Sequence, residues 1–211
     1  GCPAALYLAA AGIGTLVLVD GDAVELSNLQ RQIAHTDNDI GSNKARSAAG
    51  AITALNPAVT LEVIEQRLTE NAMPALLARV DLVLDATDNY PTRFALNRAC
   101  IAAGVPLVSA AAVRSEGQLA VFDPLRGGPC YRCLYVEGAA DTALSCSASG
   151  VLAPLVGVIG SLQAMEALKV LTGFGEPLRG KLLVLDLRSM EFRLLVLPVQ
   201  TDCPACSHLH A

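Results

Sequence analysis

Short apolar runs that end in acids alternate along this chain with Ala-rich segments of helical spacing. Residues 16–20 (LVLVD) read as a strand buried on both faces, and residues 81–86 (DLVLDA) repeat that pattern. Residues 59–64 alternate like a strand. Residues 106–109 and 118–122 predict two more, and 181–187 with 192–197 a terminal hairpin. Between them, helices are predicted over 1–12, over 41–55 (stopped by Asn56-Pro57), over 71–78, and over 91–103 (Pro91 in its first turn, Gly104 at its end). Residues 123–150 read as loop, followed by a very apolar helix over 154–172. A β-α-β-α-β order predicts an α/β, Rossmann-like, doubly wound sheet, mostly parallel and becoming mixed at the late strand pair.

Composition narrows the picture. The apolar fraction of 53%, low charge and absence of Trp call for an aliphatic core between layers. A net charge of −5 offers no broad basic face to nucleic acid. The 154–172 segment contains Pro154, Gln163, Glu166 and Lys169, so a core or interface helix is expected rather than a membrane span. Seven cysteines include two hooks, Cys130-x-x-Cys133 and Cys203-x-x-Cys206. Four thiolates from such hooks can surround one zinc ion as a closed structural site. This four-cysteine zinc clip would tie the tail to the middle of the chain, and the cysteine usage suits a reducing cytoplasm. Two redox pairs, or ordinary buried cysteines, are the alternatives.

In open α/β sheets ligands bind beyond the carboxyl ends of the strands. That rule selects Asp20 with Asp22 and Asn28, and the segment 85–93 containing Asp85, Asp88, Asn89 and Arg93. Asp20 is placed to accept ribose hydroxyls, or simply ends a strand. Gly1 is expected to be the last glycine of a GxGxxG loop, with that loop and the first strand missing upstream. Arg31 and Lys44 are candidate phosphate ligands near a helix opening at 41–44, or else solvated surface charge. Asp88 is a candidate Mg²⁺ ligand, and Asp88 or Asn89 a candidate helix cap. Cys146 is the cysteine expected to be most exposed, with possible acyl or sulfur chemistry. Cys2 and Cys100 read as core, and His35 as exposed.

Together these segments resemble the ThiF/MoeB family of E1-like activating enzymes, its molybdopterin-synthase adenylyltransferase branch first and its ThiF branch next. The resemblance rests on Asp20-Gly21-Asp22, residues 27–32 (SNLQRQ), Gly41 with Lys44, residues 86–89 (ATDN) with Arg93, both hooks, and residues 157–167 (GVIGSLQAMEA). It implies one adenylation domain over 1–211. It implies ATP and Mg²⁺ as cofactors beside Zn²⁺, and adenylation of the Gly-Gly terminus of a ubiquitin-like sulfur-carrier protein, MoaD-like or ThiS-like. Site residues carried over are Asp20 on the ribose, Asp22 and Asn28 lining the nucleotide, Arg31 and Lys44 on the phosphates, Asp88 on Mg²⁺, Gln32 and Arg93 in support, and Cys130, Cys133, Cys203 and Cys206 on zinc. Cys146 aligns with a cysteine used for sulfur chemistry in some members. The family also implies a homodimer in which an upstream arginine comes from the other subunit, an external sulfur donor, and a cytoplasmic location without nucleic acid or membrane. An inactive docking module and a NAD-dependent Rossmann enzyme remain open at this point.

Overall fold

The computed structural model describes residues 1–138 and 150–210. Helix α1 (Cys2–Ala10) leads into β1 (Thr15–Val19), which pairs in parallel with β2 (Thr60–Ile64). Between them runs α2 (Lys44–Leu55). After β2 come α3 (Met73–Leu77), β3 (Val83–Asp85) and α4 (Tyr90–Ala103). β3 lies parallel to β4 (Leu107–Val113), and β4 turns back antiparallel on β5 (Glu116–Phe122). The order then runs antiparallel through β6 (Lys181–Asp186) to β7 (Glu191–Val196). A short α5 (Tyr131–Leu134) and the long α6 (Ala153–Thr172) complete the described helices of four or more residues.

The described strands form two sheets, a parallel β1–β2 pair and a five-stranded sheet β3-β4-β5-β6-β7 that is mixed, as expected, and parallel only at β3–β4. Among the described residues β1 pairs only with β2, and β3 only with β4. The expected 106–109 strand extends to Val113 because Ala110–Ala112 are held in a seven-residue register by β5. Small side chains carry little strand propensity themselves, so cross-strand pairing decides their state.

Local chemistry explains the helix starts. Asn43 accepts the Arg46 amide at 3.1 Å to open α2, and Asn89 accepts the Thr92 amide at 3.0 Å to open α4. Each cap is worth about 1 kcal/mol. Asn89 is thus the cap, which leaves Asp88 exposed and free of that duty. Asn43 also donates to the carbonyl of Asp20 at 2.8 Å, fixing the start of α2 beside the end of β1.

Helix α6 packs on α1, β4 and β5. A Cβ on Gly160 would sit 3.0 Å from Pro3 Cβ, so the glycine permits the close α1–α6 crossing. By length and hydropathy α6 could cross a membrane. Here it reaches into the fold: the amide of Gln163 donates to the carbonyls of Asp85 (2.8 Å) and Val108 (3.0 Å). Glu166 accepts the Leu178 amide at 2.7 Å and pairs with Lys169. Buried polar groups so satisfied belong to a protein interior. Leu155 and Ile159 of α6 pack with Val108, Leu119, Val121 and Leu185 into one core; Phe94, Leu107, Phe122 and Tyr131 belong to the core on the α4 side.

Candidate nucleotide site and cysteine cluster

The turns that leave β1 and β2, together with the opening of α2, form one polar cluster. The carboxylate of Asp20 accepts the Asp22 amide at 2.9 Å, which curls the chain sharply after β1. Asp22 then faces two cations: Lys44 Nζ lies 3.4 Å from Oδ2 and Arg67 Nη2 donates to Oδ1 at 3.0 Å. The Arg67 hydrogen bond, helped by the Lys44 charge, holds the Asp22 carboxyl below its usual range against the opposing effect of burial. The Arg67 guanidinium is held up chiefly by Asp22, and the fields of Asp20 and Asp88 also reach it. A Cβ on Gly21 would lie 2.6 Å from the backbone nitrogen of Arg67, so the turns after β1 and β2 touch where only a glycine fits.

The end of β3 meets the start of α1. A Cβ on Gly1 would rest 3.5 Å from the Cβ of Ala86. The α1 N-terminus thus lies beside the end of β3, an arrangement suited to an anion because helix N-termini present free N–H groups. Exposed Asp88 follows directly. Behind it, Asp85 is fully buried, accepts Thr87 N (2.9 Å), Thr87 Oγ1 (2.7 Å) and Ser109 Oγ (2.7 Å), and lies 3.6 Å from Arg93 Nε. Arg93 also donates to the carbonyl of Thr87. Asp85 and Arg93 therefore brace the turn that carries Asp88.

Arg31 and Asn28 form a second small group. Arg31 donates to the Ser27 carbonyl (3.1 Å) and to Asn28 Oδ1 (3.3 Å), and buried Asn28 donates to Glu25 and Ser27. Neither side chain bonds to Asp22 or Lys44 among the described residues. What ties this turn to the rest is His35. Its amide donates to the Gln32 carbonyl, Nδ1 lies 2.7 Å from Ser47 Oγ on α2, and Nε2 lies 3.8 Å from Cys2 Sγ on α1. Among the described residues, Gln32 keeps a buried Oε1 without a partner.

His35, expected at the surface, is buried instead. Burial holds its imidazole below the usual value, with Lys44 adding to the effect and Asp39 and Asp20 opposing it. A neutral imidazole in the folded state and an ordinary one in the unfolded chain fix the sign: below about pH 6.5 the unfolded chain binds the extra proton first. The His35 contribution is complete above that pH and is lost as pH falls toward the folded value. Melting curves across that range should show this loss in the wild type, and His35→Gln should flatten it.

Arg67 and His35 are the two site residues that inspection of the sequence missed. The strand-end rule reaches Arg67 if applied to β2 as it was to β1 and β3. For His35 no local signal exists, since its burial depends on α1 and α2 closing over it.

The cysteine cluster lies elsewhere. Cys130, Cys133, Cys203 and Cys206 are all buried, and their sulfurs lie within 4.8 Å of one another. Sγ separations are 3.7 Å for Cys130–Cys203, 4.0 Å for Cys130–Cys133 and 3.5 Å for Cys133–Cys206. A tetrahedron of Zn–S bonds of about 2.3 Å has edges of about 3.8 Å, so the cluster is compatible with zinc. None of the four reaches the separation of about 2.0 Å that a disulfide needs. Burial pushes the Cys130 thiol up to about 11, and Cys206 is also raised by burial. Cys203 resists its burial and is drawn down by the amides of Ala205 and Cys206. Thiolates clustered in such a place repel one another unless a cation compensates their charge. Cys100 is buried, with its thiol pushed up to about 12 by that burial, and it reads as inert core. Cys146 lies outside the described residues.

A carboxylate and cation cluster at the strand ends, on a mixed α/β fold with a four-cysteine clip, is the architecture of E1-like enzymes. Comparison with known proteins gives the family: residues 1–205 match ThiF. The chain is similar to the molybdopterin-synthase adenylyltransferase of Escherichia coli (strain K12), 49% identical over 98% of this chain and 82% of that protein. It is likewise similar to the sulfur carrier protein ThiS adenylyltransferase of the same strain, 46% identical over 100% of this chain and 83% of that protein. In fold it matches Escherichia coli MccB crystallised with ATP (TM-score 0.85, 21% identity, 98% of this chain); the chain spans 64% of that protein chain. The chain belongs to the ThiF family and is an adenylyltransferase. The NAD-dependent and docking-only readings are thereby set aside.

Proposed function

We propose that residues 1–211 act as one adenylation domain that joins the C-terminal glycine of a ubiquitin-like sulfur-carrier protein to AMP. Supporting this reading is the meeting of the β1, β2 and β3 ends: Asp20, Asp22, Lys44, Arg67 and Asp88 share one edge, with the α1 N-terminus beside the end of β3. In this reading Asp20 holds the ribose, with Gly1, Asp22, Asn28 and Gln32 lining the nucleotide. Lys44 and Arg31 hold phosphate oxygens, and Arg67 keeps Asp22 ionised beside Lys44.

A carboxylate must approach a triphosphate, so two anions are forced together. Cations fixed before the reaction stabilise charge that grows on the α-phosphate and cost no rearrangement during the step. The carrier carboxylate attacks the α-phosphorus, and pyrophosphate leaves with the bonding electron pair. No general base is required, because the attacking carboxylate is ionised near neutral pH. Asp88 would hold Mg²⁺, which when bound would supply neutralisation of phosphate charge. The residues to hold zinc are Cys130, Cys133, Cys203 and Cys206, in a structural role.

In this reading the carrier is MoaD-like or ThiS-like; one relative above is named for molybdopterin synthase and the other for the sulfur carrier ThiS. An external donor then supplies sulfur to the activated end, in the cytoplasm. Exposed Met165 and Leu171 on α6 and Leu152 before it suit a second copy of the chain, as a homodimer. Pyrophosphate exchange into ATP, measured with a carrier ending in Gly-Gly, is expected to depend on that carrier and to vanish when its last glycine is deleted. Exchange indifferent to the carrier, or none with the full-length protein, overturns the proposal.

A further inference from the structure

We infer that Tyr131, the residue that follows the first cluster cysteine, is a positioning residue for Asp88. The inference rests on the adenylation reading above and adds a link between the cysteine clip and the nucleotide edge. Tyr131 is 1% exposed. Its amide donates to Asn97 Oδ1 of α4 at 2.8 Å, a buried bond. Its ring meets Phe94 of α4 edge-on at 5.3 Å and Phe122 of β5 edge-on at 5.5 Å, and leans on Tyr135 at 4.7 Å. The short turn that carries Cys130 and Cys133 is thereby locked to the helix whose first residues follow Asp88.

Among the described residues, the phenol oxygen of Tyr131 and Nε of Arg93 are buried without a hydrogen-bond partner. Both residues line one small space of about 10 Å³, together with Ser109 and Gln118. That is about the room one water needs. Two buried polar groups beside one small space are costly to leave unpaired. Nη2 of Arg93 donates to the carbonyl of Thr87, next to Asp88, and Nε faces Asp85 at 3.6 Å. Asp85 is tied in turn to Ser109 and Thr87. The path from the clip to the metal-binding turn is therefore continuous: Tyr131, Arg93, Thr87, Asp88. Tyr131 touches no reacting atom. It fixes the rotation of Arg93, and Arg93 fixes the turn.

The test is Tyr131→Phe in the full-length protein, which removes one oxygen and keeps the ring packing. Zinc content should match the wild type, and the melting temperature should fall by no more than a few degrees. Carrier-dependent pyrophosphate exchange should fall about 5- to 20-fold, with the Mg²⁺ concentration for half-maximal rate raised several-fold. Arg93→Lys should lose as much or more, and the double variant should be no worse than Arg93→Lys alone, because both act on one path. Unchanged Mg²⁺ dependence in Tyr131→Phe, or losses that simply add, overturns the inference while leaving the adenylation reading standing. A wild-type protein without carrier-dependent exchange overturns both.

Discussion

Replacing Asp88 with alanine should lower pyrophosphate exchange by about 10³-fold or more, about 4 kcal/mol of transition-state stabilisation, with the fold intact. The side chain is exposed and the neighbouring Asn89, not Asp88, caps α4. Its loss should therefore change stability by no more than about 0.5 kcal/mol, as for an ordinary surface position. The buried braces behind it, Asp85 with Ser109 and Arg93 with Thr87, do not use its carboxylate. A rate loss without a stability loss separates a metal ligand from a structural acid. Exchange kinetics and a melting curve on the same preparation check this. Near-normal exchange would remove Asp88 from the metal site.

Cys203→Ser should do the reverse. Serine is a poor zinc ligand and leaves three buried thiols around an incomplete site. Structural zinc in small peptides supplies about 10–16 kcal/mol of apparent binding energy, but this fold has an aliphatic core of its own. The loss is limited to what the clip adds, about 3–5 kcal/mol, which corresponds to a fall in Tm of roughly 6–20 °C for a chain of this size. The residues after β7 fold back on the Cys130–Cys133 turn chiefly through these sulfurs, so they should become protease-sensitive first. Metal analysis should find about one zinc per wild-type chain and far less in the variant. A chelator that strips no metal, or leaves Tm unchanged, would remove the structural zinc.

Much of this was legible because single rules covered it. The spacing of two CxxC hooks carries four ligands whatever the chain does between them, and the cluster forms across 73 residues. Apolar runs ending at Asp20 and Asp85 marked the strand ends, and capping chemistry at Asp88-Asn89 marked α4, whereas α2 was expected from 41 and opens at Lys44, capped by Asn43. Other features had no local signature. Gln163 sits in an apolar helix and looks like a stray polar residue until its amide meets two strand carbonyls. His35 and Arg67 join the site through tertiary contacts, and the antiparallel half of the sheet is set by pairing of alanine-rich β4 with β5.

Convergence of Asp20, Arg31, Lys44 and Asp88 on one magnesium nucleotide is the claim on which the rest depends. A crystal structure of the full-length protein with Mg²⁺ and a non-hydrolysable ATP analogue tests it most directly. The account predicts ribose hydroxyls on Asp20, phosphate oxygens on Lys44 and Arg31, and the metal on Asp88. A nucleotide bound away from the β1 and β3 ends, or a metal held without Asp88, would contradict it.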